Sequence, residues 1–525
     1  MEGGTIAKGD IKLGKGDDIV KITGGEIKDN SAIEGGEGKD TITISENATM
    51  IGGKLNTGAG LDDKIFVKDG GKLQDTEIIL GANGNGQNGG QSTDRALFEV
   101  TGSSKLKDVQ INASESSGEQ RINFYNDVVA EVKSLTGSNQ KDVIDINGKV
   151  KFNSEIQTRD GDDELILQNK AVLENGLKVN MGGGVDTVNI NAGATINNIS
   201  INTGADKDTV NINANITADV GKQSNITTEG GMDTVNIASG VTLTRTVIDM
   251  GAGEDTIEVR GNSATDRITF KGSTLYTDDA GHTANDIDHV TITNTTFMKS
   301  DDGRLSSVQT GGGDDEITVK DGTVFQDISY IQAGDGEDKI YLNSGSTFNY
   351  SKVFGGNGGD EIHVNGAEFN GKYGHGGVDG EAGDDKIFVN SGTFKDANIE
   401  GGAGNDFISI KQGVSLTNTK IDGGAGYDTL KIADDSVNLT KVTNIEKLDL
   451  TQGNHNINLS AKDVLDMTDS NNRLRIDGDS GDNLGLASKG WVEDTSANIT
   501  GYKVYTNTEG AHTVTLEVQD QVHVF

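Results

Sequence analysis

The chain has 525 residues, 75 of them glycine, with 82 acidic against 45 basic side chains and a formal charge of -37. Only 33% of residues are hydrophobic and 5% aromatic, which excludes several large globular cores and suits an array whose units each bury a thin apolar seam. The charge repels nucleic acid and acidic membranes and favours cations, and the absence of Cys excludes disulfides and thiolate metal sites.

Proline is absent as well, where an average usage of about 5% would give roughly 26. A stacked sheet in which every N–H joins a ladder has no place for a residue without one. The opening MEGGTIAKGDIKLGKGDD has no apolar h-region of the kind a Sec signal needs. No stretch approaches the roughly 18 apolar residues of a membrane span. The start falls inside a coil, with nothing ahead of Leu13 to cap it, so a longer N-terminal region is expected.

Read in chain order, the sequence keeps returning to one pattern. Residues 11–22, IKLGKGDDIVKI, carry Gly14, Gly16 and Asp18; residues 33–44, IEGGEGKDTITI, carry Gly35, Gly36, Gly38 and Asp40. GAGLDDKIF (58–66) has one extra residue and offers Gly58, Gly60, Asp62 and Asp63. Residues 83–141 break the motif, with NGNGQNGG, DRALFEV and RINFYNDVVAEV, and TGSNQKD (136–142) then brings in Asp142 with the motif's glycines largely gone. The motif resumes with Gly161 and Asp163, and with Gly182, Gly184 and Asp186 in VNMGGGVDTVNI (179–190). TGADKD (203–208) ends at Asp208 and lacks the glycine before it; Gly231 with Asp233, and Gly251, Gly253 and Asp255 in IDMGAGEDTIEV (248–259), follow.

Residues 260–307, holding DRITF and DHVTITNTTF, break the motif again. The best matches come next: Gly311, Gly313 and Asp315; Gly334, Gly336 and Asp338; Gly355, Gly356, Gly358 and Asp360; Gly383 and Asp385. Gly401, Gly402, Gly404 and Asp406, then Gly423, Gly424, Gly426 and Asp428, close the series. Within each continuous run the aspartates are 21–25 residues apart.

After each motif comes a short alternating strand, a turn such as NSG or NAG, a second strand such as TF or ATI, and a third leading into the next glycines. Three strands of two to four residues separated by Gly/Asn turns make one coil of a β-solenoid. The expected fold is therefore all-β, a parallel β-solenoid of ~22-residue coils, β-helix or β-roll-like, with a small C-terminal β-rich module. Ile42 and Ile44 point inward, and Thr41 and Thr43 to solvent. Asn189, Asn211 and Asn236 recur at turns, where Asn tolerates the left-handed region or stacks in ladders.

Segments 1–82, 142–259 and 308–433 carry the motif, 83–141 and 260–307 are degenerate coils with insertions, and 434–525 is the C-terminal module. We expect about 17–18 coils in one continuous rod, about 80 Å long at ~4.8 Å per coil.

Glycines at the first, second and fourth motif positions allow positive φ and close approach, so carbonyl oxygens can converge beside one carboxylate. Such a set of hard oxygens suits Ca²⁺, with each ion between adjacent corners of one column. Glycine making the turn and aspartate capping it would account for both residue types but not for their fixed order together.

The units, written G-G-x-G-x-D-x-U-x, resemble the calcium-binding nonapeptides of the RTX (repeats-in-toxin) family of type I-secreted proteins, over roughly residues 11–67 and 137–433. The resemblance implies that Gly35, Gly36, Gly38 and Asp40 are calcium-loop positions and Ile42 the buried apolar one. Gly182, Gly184 and Asp186, Gly401, Gly402, Gly404 and Asp406, and Gly423, Gly424, Gly426 and Asp428 take the same roles. The family runs nonapeptides in tandem with two metal corners per coil; here one corner per coil is replaced by a strand, and the motifs ending at Asp63, Asp142 and Asp208 depart from the family's pattern.

From residue 434 the period ends. Ser460 precedes AKDVLDM, a short helix with Asp463 as capping-box partner. With NIEKLDL, LRIDGDSGD, Trp491 and a Tyr-rich last hairpin, the segment resembles the C-terminal module of type I-secreted bacterial adhesins and surface-layer-like proteins. That implies export recognition by the type I secretion apparatus, although a plain solenoid cap is the alternative.

The seven histidines (His282, His289, His363, His375, His455, His512, His523) fall in no zinc spacing. His289 and His363 occupy strand positions held by Thr or Asn elsewhere, and Tyr373 and His375 near His363 are the one place where an acid/base pair could meet. No catalytic residue is assigned. The expectation is a calcium-binding, extracellular bacterial surface protein acting in adhesion, biofilm matrix or surface-layer assembly. Its expected partners are the secretion apparatus and either cell-surface glycans or copies of itself, without nucleic acid or membrane insertion. The alternatives are a secreted carbohydrate-active β-helix enzyme of lyase or epimerase type, and a self-assembling filament.

Overall fold

In the computed structural model, which describes residues 1–81, 95–125, 128–174, 176–278, 286–372 and 375–525, one coil is made from three short strands. Ala32–Glu37 runs into the glycines, Thr41–Ser45 leaves the aspartate, and Thr49–Ile51 forms the third side. Each strand pairs in parallel with its equivalent in the coils before and after, as in Ile33 with Leu55, Ile42 with Ile65 and Leu73 with Met50. Because side chains alternate, one inward residue per position stacks on its counterpart, and Ile33, Ile42, Ile44 and Met50 are all fully buried. This is a parallel β-solenoid, with about 23 residues per turn and about 20 turns among the described residues.

The contacts group the chain into two compact units, Met1–Glu258 and Val259–Phe525. In the first, the apolar column on the third side is built from residues such as Ile27, Met50, Leu73 and Leu106. In the second it becomes a run of phenylalanines. Rings of Phe270, Phe297, Phe325, Phe348, Phe369 and Phe394 stack face to face, with neighbouring centroids 4.3–5.1 Å apart. That distance is the coil spacing itself, so a ring at one fixed position must lie flat on the next.

Three details differ from the sequence reading. Asn189, Asn211 and Asn236 lie within strands rather than turns, and they form a side-chain ladder in which Asn211 and Asn236 each donate 2.9 Å to the Asn one coil earlier. Thr43 faces outward as its alternation requires, yet it is covered, lying between Lys21 and Phe66 in register. Some strands are far longer than four residues: Glu361–Asn370 and Lys386–Lys395 each join two sides of a coil through a register shift. The NGNGQNGG insertion, His282 and Tyr373 lie outside the described residues.

The stack does not stop where the glycine motif does. Lys447–Asp449 pairs with Thr429–Ile432, Arg473–Asp477 pairs with Lys447–Asp449, and His512–Gln519 pairs with Arg473–Asp477, all in parallel. These layers lie beyond residue 433, where the sequence period ends, and they raise the expected count of about 17–18 coils to about 20 turns. Only then does the direction change, in the antiparallel hairpin Tyr502–Glu509 with His512–Gln519. One helix, α1 (Ala461–Met467), begins at Ser460, whose hydroxyl accepts from the Asp463 amide while the Asp463 carboxylate accepts from the Ser460 amide. Trp491 is buried, and its indole N–H donates to the Leu459 carbonyl at 2.8 Å.

Candidate metal centre

The glycines and aspartates of successive motifs meet at one corner of the coil. All the motif aspartates from Asp40 to Asp428 are 0–2% exposed, so the carboxylates face inward and only Asp18 is partly open. Most are held by the same contact. The backbone N–H of Asp18 donates to Oδ1 of Asp40 at 2.9 Å, and that of Asp40 to Oδ1 of Asp63 at 2.7 Å. A second run joins Asp142, Asp163, Asp186, Asp208, Asp233 and Asp255 at 2.7–2.8 Å per link. In the second unit the links Asp315, Asp338, Asp360, Asp385, Asp406 and Asp428 are 2.8–2.9 Å long.

Two members of this ladder are missing from the sequence reading. The Asp288 amide donates to Oδ1 of Asp315 at 2.8 Å, and the Asp428 amide to Oε2 of Glu446 at 2.9 Å. Both stand two residues before an inward apolar residue, in DHVTI and EKLDL, as the other aspartates do. No glycines precede them, and a search led by glycine passes over them. In the degenerate stretch the slot is held instead by Ala96 and Gln120, in register with Asp63 and Asp142, so the carboxylate ladder is interrupted there.

A second row runs along the outside of the corner with the opposite sense. The residue just before the motif aspartate accepts from the amide of its equivalent one coil later: Lys39 donates to Asp17, Glu337 to Asp314, Asn405 to Asp384 and Tyr427 to Asn405, at 2.7–3.0 Å. Between the two rows, the N–H of the fourth-position glycine donates to a carbonyl of the next coil, as from Gly336 to Asn357 at 2.8 Å. At these positions the turn amides, which a sharp corner would otherwise strand, are answered along the stack.

The glycines serve this stacking. A Cβ on the second-position Gly36, Gly356 or Gly424 would collide with the carbonyl oxygen of Gly14, Gly334 or Gly402 one coil earlier. The same holds for Gly38, Gly358 and Gly426 at the fourth position, over Gly16, Gly336 and Gly404. Where the motif lacks a glycine the backbone keeps its shape: Arg159, Asp206, Glu229 and Glu381 all have positive φ, between 62° and 85°. The neighbouring coils impose that conformation on residues that resist it by about 1–2 kcal/mol.

The first glycine has a different task. A Cβ on Gly355, Gly380 or Gly401 would meet two oxygens at once, Oδ2 of its own coil's aspartate and the first-position carbonyl of the next coil. Oδ2 of Asp40, Asp186, Asp338, Asp360, Asp385, Asp406 and Asp428 is buried and accepts no hydrogen bond. In other coils a threonine takes the first position, and Thr158, Thr228 and Thr310 donate to the Met181, Met250 and Ala333 carbonyls at 2.7–2.9 Å. Asp142 differs again, because the Ser138 amide donates to its Oδ2 at 2.7 Å.

A buried carboxylate with an unanswered oxygen resists ionisation. Burial, reinforced by neighbouring aspartates of the column, pushes Asp186 and Asp338 up to about 8 and Asp360 and Asp406 up to about 7. Asp163 and Asp315 rise by burial only to about 6. Asp385 and Asp428 also reach about 6, again through burial.

Tested against a hard divalent cation, the corner fits in kind. Where a glycine takes the first position, as at Gly355, Gly380 and Gly401, the corner offers a carboxylate oxygen that accepts no hydrogen bond and a main-chain carbonyl from the adjacent coil. Among the described residues no three His, Cys, Asp or Glu side chains are grouped to hold a metal, so a cation here would rely on main-chain oxygens. Asp63 takes the inner slot and Asp62 the outer, 3.6 Å from the Lys39 ammonium. His363 lies between the rings of Tyr341 and Phe388, and His289 is exposed beside Glu316. The buried His455 is fixed by Asp435 and the Gln452 carbonyl. No protein-family model, curated protein or solved structure matches the chain.

Proposed function

We propose that the protein is a calcium-dependent β-solenoid of a bacterial cell surface, exported by a type I route and acting in adhesion, biofilm matrix or surface-layer assembly. The observation that carries this reading is the set of buried aspartates, Asp186, Asp338, Asp360, Asp385, Asp406 and Asp428, whose Oδ2 atoms accept no hydrogen bond. A buried carboxylate must be neutralised by a proton or by a cation, and the corner supplies main-chain oxygens for the second. Calcium bound there would supply charge neutralisation and a crosslink between coils. Asp338, Asp360, Asp385, Asp406 and Asp428 would hold it with the first-position carbonyls of the coils that follow.

The rest of the chain supports the setting. Extracellular modules bind calcium with dissociation constants of ~10⁻⁴–10⁻³ M, above cytosolic levels, so the acidic chain stays extended inside the cell and folds outside. The absence of Cys leaves no disulfide to obstruct export. The test is circular dichroism of the full chain in chelator and in millimolar Ca²⁺. Weak structure in chelator and β-structure with calcium are expected; an equally stable fold in both would overturn the reading.

A further inference from the structure

The second unit carries a groove on the outer face of the strands that lead into the glycines. Tyr330, Gln332, Tyr350, Lys352 and Phe354 line a cavity of about 430 Å³ there. It adjoins a second cavity of about 240 Å³, with Gln332 shared between them. Along this face Gln309, Gln332, Phe354, Asp379 and Glu400 stack in register, one per coil, beside a column of Ser307, Tyr330, Lys352 and Gly377.

The geometry points to a binding site for a neutral glycan chain. This inference deepens the adhesion reading above and rests on it for its biological setting. Tyr330 and Phe354 meet edge to face with centroids 6.3 Å apart, and Tyr350 is 41% exposed beside Ile328, itself 45% exposed. An aromatic wall left open to water is costly unless something covers it. The polar groups around it are already fixed. Lys352 is clamped by Asp379 and Glu400, Gln332 donates to Glu381 at 2.7 Å, and Gln309 donates to the Tyr330 hydroxyl at 3.1 Å.

Open aromatic rings bordered by pre-aligned amides and carboxylates match a pyranose, which has an apolar C–H face and a rim of hydroxyls. One ammonium, Lys352, stands among three carboxylates, Asp379, Glu381 and Glu400, so anionic sugars and phosphates are repelled. The columns repeat at the coil spacing of ~4.8 Å, which suits a ligand that is itself a chain of regularly spaced rings. A peptide adding as a strand finds no free edge here, because these strands are paired on both sides.

The test is affinity electrophoresis of the full chain in calcium, in gels containing mannan, dextran or xyloglucan, with polygalacturonate as the acidic comparison. Retardation by at least one neutral polysaccharide and by none of the acidic one is expected. Phe354→Ala and Tyr330→Ala should each weaken it at least tenfold with unchanged circular dichroism. Phe354→Tyr, which keeps a ring, should restore it, and Phe388→Ala on another face should leave it unchanged. Retardation by no neutral polysaccharide, equal retardation by polygalacturonate, or full binding by both alanine variants would overturn the proposal. Cell attachment is scored separately: glycan binding without attachment sinks the adhesion reading alone, and attachment without glycan binding sinks this one alone.

Discussion

The Asp406 amide donates to Oδ1 of Asp428 at 2.8 Å, while Oδ1 of Asp406 accepts from the Asp385 amide at 2.9 Å. Asp406 thus serves the coil before it and depends on the coil after it, with its second oxygen left over. Asp406→Ala removes an acceptor from a buried amide and should cost about 1–3 kcal/mol in urea unfolding. Asp406→Asn keeps the acceptor and removes the charge, so in chelator it should match the parent to within about 1 kcal/mol while its response to calcium falls. An asparagine variant as damaged as the alanine one would mean that the charge itself holds the apo corner.

Occupancy should follow the state of Oδ2. Asp142 already accepts from the Ser138 amide with that oxygen, whereas Asp360 does not. Asp142→Asn should leave the calcium titration of the full chain nearly unchanged, and Asp360→Asn should lower the number of ions bound in isothermal calorimetry. The reverse order would show that main-chain oxygens elsewhere in the corner carry the site.

The pH dependence has a definite sign. In the folded chain burial raises Asp428 to about 6 and Asp338 to about 8, whereas the unfolded chain releases these protons near the ordinary value of about 4. The folded state binds more protons across that window, so in chelator stability is full below about pH 4 and is lost as pH rises through 6–8. Thermal melting in chelator should therefore be higher at about pH 5.5 than at about pH 8.5, and calcium should narrow the gap. A flat profile would show that the carboxylates are solvated in the absence of metal.

Glycine substitutions should separate stacking from turn-making. Gly426→Ala places a Cβ on the Gly404 carbonyl of the previous coil, and about 2–4 kcal/mol of destabilisation is expected. Gly413 also has positive φ but nothing within 4 Å, so Gly413→Ala should cost only about 1–2 kcal/mol. In the same unit Phe325→Ala opens the middle of the stacked rings and should cost about 3–5 kcal/mol.

Capping and export can be told apart at the C-terminal end. Glu446→Ala leaves the Asp428 amide without its acceptor and should lower stability by about 1–3 kcal/mol without affecting secretion in cells that carry a matching transporter. Deletion of residues 434–525 should retain the chain inside. Normal secretion of the deletion would reduce the segment to a cap.

Much of this was legible because a repeat reports its own register. The spacing of Asp315, Asp338 and Asp360 located the corner, and the alternation at Ile42 and Ile44 located the core. What escaped was whatever the glycines did not mark. Asp288 and Glu446 enter the ladder through backbone stacking, which needs only an acceptor of the right length at the right place. Asn189 and its partners looked like turn residues because Asn is common there, but a ladder of amides is as well served in mid-strand. The boundary of the two compact units left no trace in composition, since the motif runs up to Asp255 beside it.

The two rows at the corner, one leaning back and the other forward, have a consequence for how such a protein changes over generations. Coils that carry the full motif present the same donors and acceptors to the coil above as their neighbours do, so removing one of them brings like against like and keeps the inner ladder joined. Adding one does the same. A change of a few residues within a coil has no such protection, because it shifts the aspartate out of line with both rows. Gene duplication and loss in units of one coil therefore pass through folded intermediates at every step, and length is the property this architecture can vary most freely.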